Sequence, residues 1–233
     1  HFEQTIRVRG TTSYLAVLGT LATFALILPN YTISVEGPSY NKAQLAAVAL
    51  VSLGLYAAFL FVQTVRHRDY FLTAPSDTDT AAIEEHAMPS RRMTAISTVT
   101  LMLALICVVL LAKSLSPQLN TLIAIAELPY EFAGVVIAGL VLAPESIAAV
   151  RASLANRPQT SINLALGSAV ASIALTIPII TLFTAFSENQ LVLGVSPAKA
   201  VLLALALFVS VMTLGTGRTS VLQGVVHLSI FVI

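Results

Sequence analysis

The sequence predicts an all-α, polytopic helical membrane protein of about seven transmembrane helices, and three observations carry that prediction. Hydrophobic residues make up 57% of the chain and charged residues only 10%, against about 25% charged in a soluble domain. Mean hydropathy is +0.89. The apolar residues fall in runs close to the roughly 20 residues that a helix needs to cross a bilayer. A net charge of +1 provides no basic surface for nucleic acid, and neither a Gly-rich phosphate loop nor a zinc-ligand cluster appears. With a single cysteine, Cys107, no internal disulfide or CxxC redox pair is possible, and no cofactor is implied.

The first span runs from about Thr12 to Leu28 and stops at Pro29-Asn30; the second covers about Ala43 to Val65. The segment Arg66 to Arg92 is polar and holds Asp69, Asp77, Asp79, Glu84 and Glu85 among His67, His86, Pro75 and Pro89. Nothing in it is periodic enough for more than a short helix. A third span, about Thr94 to Ala112, is followed by a polar turn and a weakly hydrophobic stretch that ends in Glu127-Leu-Pro-Tyr-Glu131. The fourth covers about Phe132 to Val150. A polar link, Arg151 to Thr160, leads to a fifth from near Ile162 to Phe186, with Pro178 inside it. The sixth is about Ala198 to Leu214, and a truncated seventh starts near Ser220. Three segments result: two transmembrane helices over residues 1–65, a cytoplasmic acidic linker over 66–92, and a transmembrane bundle over 93–233. Opening without methionine and stopping inside an apolar run, the chain reads as part of a longer protein.

Positive charge predicts the orientation, because short cytoplasmic loops are enriched in Lys and Arg. With the N-terminus inside, Arg7, Arg9, Arg66, Arg68, Arg91, Arg92, Arg151, Arg157 and Arg218 all fall on the cytoplasmic side. Lys42, Lys113 and Lys199 fall outside, so the 12 basic residues divide nine to three. A multi-pass protein of the cell inner (cytoplasmic) membrane is expected.

Glu145 stands out, preceded by Pro144 inside the fourth span. A carboxylate in a membrane helix costs at least about 2.5 kcal/mol and is normally kept where it faces a cavity, a partner or an ion path. Proline removes a backbone donor and clashes with the preceding turn, so it tends to kink the helix and free carbonyls beside the acid. Together these make an oxygen-rich cation site, unless Glu145 merely ends the helix at the water interface. In the fifth span Asn163, Ser168, Ser172 and Thr176 recur at intervals of five, four and four, which reads as one polar face, with Gly167 adjoining. Small and hydroxylated residues also serve close helix packing. Oxygen ligands suit hard cations, and calcium usually takes more than one carboxylate. Transporters built from two inverted repeats supply one broken helix from each.

The run Leu142-Ala-Pro-Glu145-Ser-Ile-Ala-Ala-Val-Arg151, with Ala155-Asn-Arg-Pro-Gln-Thr-Ser-Ile-Asn163-Leu-Ala-Leu-Gly167-Ser168 and Ile173-Ala-Leu-Thr-Ile-Pro178, resembles the second alpha-repeat of bacterial calcium (sodium)/proton antiporters of the calcium/cation antiporter superfamily. The resemblance extends to Gly10-Thr-Thr-Ser-Tyr-Leu-Ala-Val-Leu-Gly19 and Thr216-Gly-Arg-Thr-Ser-Val-Leu-Gln-Gly-Val-Val-His227-Leu. It implies one half of an inverted-repeat cation antiporter, with the repeat at about 132–186. An N-terminal half carrying the first alpha-repeat and its own glutamate would be the missing partner. It also implies that Glu145 binds the cation and protons in turn, with Ser168 and Asn163 in the cation and proton site and Pro144, Gly167 and Ser172 supporting it. Leu142 stands where the plant and fungal branch has a ligand asparagine, and Ser172 where it has a glutamine.

The function expected is therefore secondary exchange of calcium, with sodium or potassium as alternatives, for protons, without covalent chemistry and without enzymatic activity. A passive cation channel using Glu145 is the first rival. An intramembrane hydrolase pairing Ser168 or Ser172 with His227 is a distant second, because no orienting acid completes a triad.

Overall fold

The computed structural model describes residues 4–67, 70, 90–127, 131–185 and 191–232, and these fold as a succession of helices. A two-residue strand β1 (Gln4–Thr5) leads into α1 (Val8–Ala22), which ends in a π-helical turn (Thr23–Ile27) and a 3-10 turn (Leu28–Tyr31). Helix α2 (Lys42–Phe61) likewise ends in a π-helical turn, Val62–Arg66. Then come α3 (Arg91–Ile125), α4 (Glu131–Leu154), α5 (Pro158–Ala185), α6 (Pro197–Leu214), the strand β2 (Arg218–Thr219) and α7 (Val221–Val232). Among the described residues six helical stretches are long and apolar enough to cross a membrane, and Val221–Val232 is a shorter apolar helix. The protein is thus a polytopic helical membrane protein. Asp69, Asp77, Asp79, Glu84 and Glu85 of the acidic linker lie outside the described residues.

Helix boundaries follow local chemistry. Asn41 caps α2: its side chain accepts from the Gln44 N–H at 2.8 Å, and the Gln44 side chain accepts from the Asn41 N–H at 3.1 Å. Pro197 opens α6 at a position where its missing N–H costs nothing. The expected polar turn after Ala112 is absent. Instead α3 continues for 35 residues through Lys113 and Pro117. One proline removes a single helical hydrogen bond, and the flanking Leu, Ala and Lys residues favour the helix. Lys113 lies about 33 Å along α3 from Arg91, one hydrocarbon thickness away.

Residues 1–74 and 148–233 form one compact unit. At its centre Tyr14 and Leu21 of α1, Phe59 of α2, and Val170 and Ala174 of α5 pack into a buried cluster. Ala25, Ala49 and Ile177 continue it toward the other end. One end is closed by backbone pairing: Gln4 opposes Thr219 and Thr5 opposes Arg218 in an antiparallel ladder, and the Ile6 N–H donates to the Gly217 carbonyl at 2.9 Å. Gly217 has φ +75, and a Cβ there would also come within 2.7 Å of Val8 Cγ2, so glycine is required. Arg7, Arg9, Arg66, Arg157 and Arg218 all stand at or beyond the helix ends on this side.

At the opposite end, where Lys42 and Lys199 begin α2 and α6, the loops before α2 and α6 bind each other. The N–H groups of Leu193 and Gly194 both donate to the Pro38 carbonyl at 3.1 Å, and the Val195 N–H donates to the Leu26 carbonyl at 3.0 Å. Asn30 Nδ2 donates to the Val195 carbonyl at 2.6 Å. Tyr40 adds a tie by donating its hydroxyl to the Phe24 carbonyl at 2.7 Å, and burial pushes this phenol above its ordinary pKa. Within the helices Thr and Ser hydroxyls bond back to the carbonyl four residues earlier, as in Thr20 to Ala16, Thr23 to Gly19 and Thr181 to Ile177. Hydroxyls satisfied this way are compatible with a lipid surround.

The second compact unit comprises residues 75–147 and contains α3 and most of α4. Among its described residues few are buried, Ile123 of α3 being one at 6% exposure.

Candidate cation site

Glu145 is the lone charged residue between Glu131 and Arg151, in the interior of a helix that is otherwise apolar. Pro144 does not break α4, which runs continuously from Glu131 to Leu154. Its chemical effect persists, because a proline has no N–H to offer the Leu140 carbonyl one turn back. Pro144 lines an apolar cavity of about 360 Å³ with Ile137 and Leu140 of α4 and Val108, Leu111 and Leu115 of α3. The Glu145 side chain is exposed, as are Leu142 at 44% and Ile147 at 52% on the same helix. Arg151 stands about 9 Å further along the axis. Glu145 therefore sits at the exposed surface of a membrane-length helix, some two turns from its basic end.

Helix α5 carries the other expected ligands, but not on one face. The step of five residues from Asn163 to Ser168 turns the helix by about 140°. Asn163, Gly167, Val170, Ala174 and Ile177 share the face packed against α1 and α2, with Val170 and Ala174 fully buried. Asn163 Oδ1 accepts from Gln159 Nε2 at 3.0 Å, and Gln159, 3% exposed, accepts the Arg7 N–H at 2.7 Å. A Cβ on Gly167 would lie 3.6 Å from Cε1 and Oη of Tyr14. Ser168 and Ser172 sit about 160° from Val170, on the far side. Ser172 and Thr176 are exposed there and Ser168 is half-buried. The single polar stripe expected of these residues is thus two: an amide and glycine edge turned into the core, and a hydroxyl edge, Ser168 to Thr176, turned away from it.

Glu145 belongs to the unit of residues 75–147, whereas Asn163, Gly167, Ser168 and Ser172 belong to the unit of 1–74 and 148–233. Among the described residues no group of three or more His, Cys, Asp or Glu could hold a metal ion. His227 does not pair with a serine of α5 but with α6: its Nε2 lies 2.9 Å from Thr213 Oγ1. Thr213 donates its own proton to the Val209 carbonyl at 2.8 Å, so its oxygen accepts from Nε2–H.

Residues that spacing alone did not single out are Tyr14, Gln63 and Gln159. Gln63 Nε2 donates to the Tyr14 hydroxyl at 2.7 Å, and the Tyr14 and Phe59 rings meet at 4.9 Å with an interplanar angle of 57°. The available signal was an amide and a phenol inside apolar spans, where each must find a partner.

Comparison with known proteins bears on this arrangement. The family described as "Sodium/calcium exchanger protein" matches residues 96–233, which include α4, α5 and Glu145. The "Putative ionic transporter y4hA" of Sinorhizobium fredii is 47% identical over 233 residues, 100% of this chain and 62% of that protein. The "Sodium-potassium/proton antiporter ChaA" of Escherichia coli is 31% identical over 228 residues, 98% of this chain and 62% of that protein. The chain thus spans less than two thirds of the length of these curated relatives. No solved structure matches it significantly.

Proposed function

We propose, because the chain belongs to the sodium/calcium exchanger protein family, that it forms the part of a cation/proton antiporter that carries one of the exchanging carboxylates. The single observation that carries this reading is Glu145, an exposed acid beside a proline in the interior of an apolar membrane-length helix. Glu145 takes the cation and the proton in turn: ionised it offers two oxygens to a hard cation, and protonated it offers none of that charge. Ser168 supplies a hydroxyl ligand from the outward edge of α5, with Ser172 one turn beyond. Asn163, already held by Gln159, keeps a place in the site as the residue that fixes the start of α5. Oxygens still needed come from water and from an acid in a first repeat outside this chain, which the coverage of the relatives supports.

The exchange runs across the cytoplasmic membrane with the N-terminal residues inside, a sidedness supported by the basic residues gathered at one end of the bundle. Calcium is the cation of first choice, and sodium and potassium are the alternatives favoured by the name of the Escherichia coli relative. The test is reconstitution of the full-length protein in proteoliposomes. An imposed proton gradient drives cation movement against its own gradient if the protein is an antiporter. Flux that follows only the cation gradient, at any pH difference, would mean a passive channel instead.

A further inference from the structure

Arg9, Thr12, Ala16 and Thr20 form an exposed stripe along α1, at helical spacings of three, four and four. Its threonines return their hydroxyls to their own helix, Thr12 to the Val8 carbonyl and Thr20 to the Ala16 carbonyl, both at 2.9 Å. Inward of Arg9 the stripe is therefore compatible with hydrocarbon. Arg9 is its charged member and stands at its end, the second residue of the membrane-length stretch Val8–Tyr31. The first turn of α1 holds no acidic residue and no side chain caps it, so the positive end of the helix dipole adds to the charge of Arg9. An arginine at the end of a membrane helix ordinarily swings freely toward water. Arg9 is held instead: its Nη1 donates to the Tyr70 hydroxyl at 3.2 Å, and its Cζ lies 5.4 Å from the centre of the Tyr70 ring. Tyr70 is fixed in turn, packed against the buried cluster of Tyr14 and Phe59 and stacked on His67, with ring centroids 4.8 Å apart and planes 4° from parallel. His67 directly follows Arg66, the exposed last residue of the second membrane-length stretch, Lys42–Arg66. Just inside that end Phe61 and Val65 are exposed.

We propose that Arg9, held by Tyr70, is the centre of a binding site for the phosphodiester of an anionic phospholipid, with His67 and Arg66 beside it and the acyl chains along the exposed stripe of α1. One N–H of the Arg9 fork goes to Tyr70, and those that remain match phosphate oxygens in pairs. His67 brings an N–H donor in either protonation state. Arg9 and Arg66 stand where two spans leave the hydrocarbon, the depth at which headgroups lie. Charge alone would serve a free anion; the apolar side chains directly inward of the cations match a ligand that also carries acyl chains. All four residues lie in the unit formed by residues 1–74 and 148–233, and the site requires only that these helices span a bilayer, so it stands apart from the antiport reading.

The experiment is native mass spectrometry of the full-length protein released from detergent micelles and titrated with phosphatidylglycerol or with phosphatidylcholine of the same acyl chains. The parent is expected to bind phosphatidylglycerol about tenfold more tightly, and Arg9→Gln to lose about fivefold of that affinity, the contribution of one cation near an anionic headgroup, with phosphatidylcholine binding unchanged. Two further variants separate a built site from plain attraction of lipid to positive charge. Tyr70→Phe keeps every charge and the ring but frees Arg9, and Arg9→Lys keeps the charge without the planar fork. Each is expected to weaken phosphatidylglycerol binding about threefold, whereas Lys199→Gln, at the opposite end of the bundle, leaves it unchanged. If Tyr70→Phe fails to accumulate, the Arg9→Lys arm decides alone. Equal affinity of the parent for the two lipids would overturn the proposal. So would parent-like binding by both Tyr70→Phe and Arg9→Lys, because surface attraction alone would then account for any loss in Arg9→Gln. Inorganic phosphate that displaces phosphatidylglycerol at equal concentration would make the ligand a free anion and refute the lipid. A preference that emerges only after Asp69, Asp77, Asp79, Glu84 and Glu85 are replaced by their amides would make the acidic segment of this chain the occupant, and would refute the lipid equally.

Discussion

Gln159 and Asn163 are bonded to each other one turn apart on α5, Nε2 to Oδ1 at 3.0 Å, while the same Gln159 accepts the Arg7 backbone N–H at 2.7 Å. This carboxamide joins the start of α1 to the start of α5, and it draws Asn163 into the core edge of α5, away from the hydroxyl edge.

Replacing Gln159 by alanine therefore leaves a backbone N–H and an amide without that partner in a site that is 3% exposed. A loss of about 1–3 kcal/mol in stability is expected, read as a lowered unfolding midpoint in detergent. Asn163→Ala separates a fixing role from a ligand role. Normal exchange per folded protein supports fixing; abolished exchange at unchanged expression would restore Asn163 as a cation ligand.

Two glycines should respond oppositely to alanine. A Cβ on Gly194 would collide with Asn30 Oδ1 and lie 2.7 Å from Pro38 Cβ, at the point where the loops before α2 and α6 are bonded together. Gly194→Ala should cost about 1–3 kcal/mol of stability. Gly167→Ala meets only ordinary contact at 3.6 Å and gains helix propensity, so it should stay within about 1 kcal/mol of the parent. Equal effects of the two in a detergent thermal scan would contradict the packing described.

The spans were legible because each is a run of apolar residues bounded by Pro, Gly or charge, and Val8–Tyr31, Lys42–Arg66 and Pro197–Leu214 extend the sequence-based limits by only a few residues at either end. The continuation of α3 through Pro117 was not, since Lys113, Ser114, Ser116 and Pro117 together look like a turn and only the helix around them overrides that local preference. The division of the α5 stripe into two edges follows from arithmetic on 3.6 residues per turn, but it becomes visible only when Val170 and Ala174 are known to be buried. The Tyr14 to Gln63 bond joins positions 49 apart and leaves no periodic trace. Of the candidate site, Glu145 announced itself by being an acid among apolar residues; no comparable signal marks Gln159, which lies in what reads as a polar link.

Sidedness is tested by labelling. The turn after α4 places Asn156, exposed and with φ 56, between Arg151 and Arg157. In a cysteine-free background of the full-length protein, with Cys107→Ser among its changes, Asn156→Cys should resist a membrane-impermeant thiol reagent in intact cells and react in everted vesicles. Reaction from outside would reverse the proposed orientation.

The last prediction concerns Glu145. Glutamine keeps its shape and much of its hydrogen bonding but cannot ionise, so it neither neutralises a cation nor releases a proton. In the full-length protein Glu145→Gln should abolish both cation-dependent proton flux and proton-driven cation flux. Aspartate retains the charge and withdraws the oxygens by one methylene, a gap that a flexible hydrated cation shell partly absorbs; Glu145→Asp should therefore keep measurable exchange with a higher apparent KM. Neither change should impair folding, because the Glu145 side chain is exposed on α4 and replacing an ionisable group at membrane depth with a neutral amide relieves a cost of order 1 kcal/mol or more. Exchange and expression measured together in everted vesicles decide the matter. Well-expressed Glu145→Gln protein that still exchanges would remove Glu145 from the site and leave the hydroxyl edge of α5 without its carboxylate. Loss in both the glutamine and the aspartate variants, at full expression, would instead mean that the reach of the longer side chain matters as much as its charge, placing the cation at a fixed distance from α4.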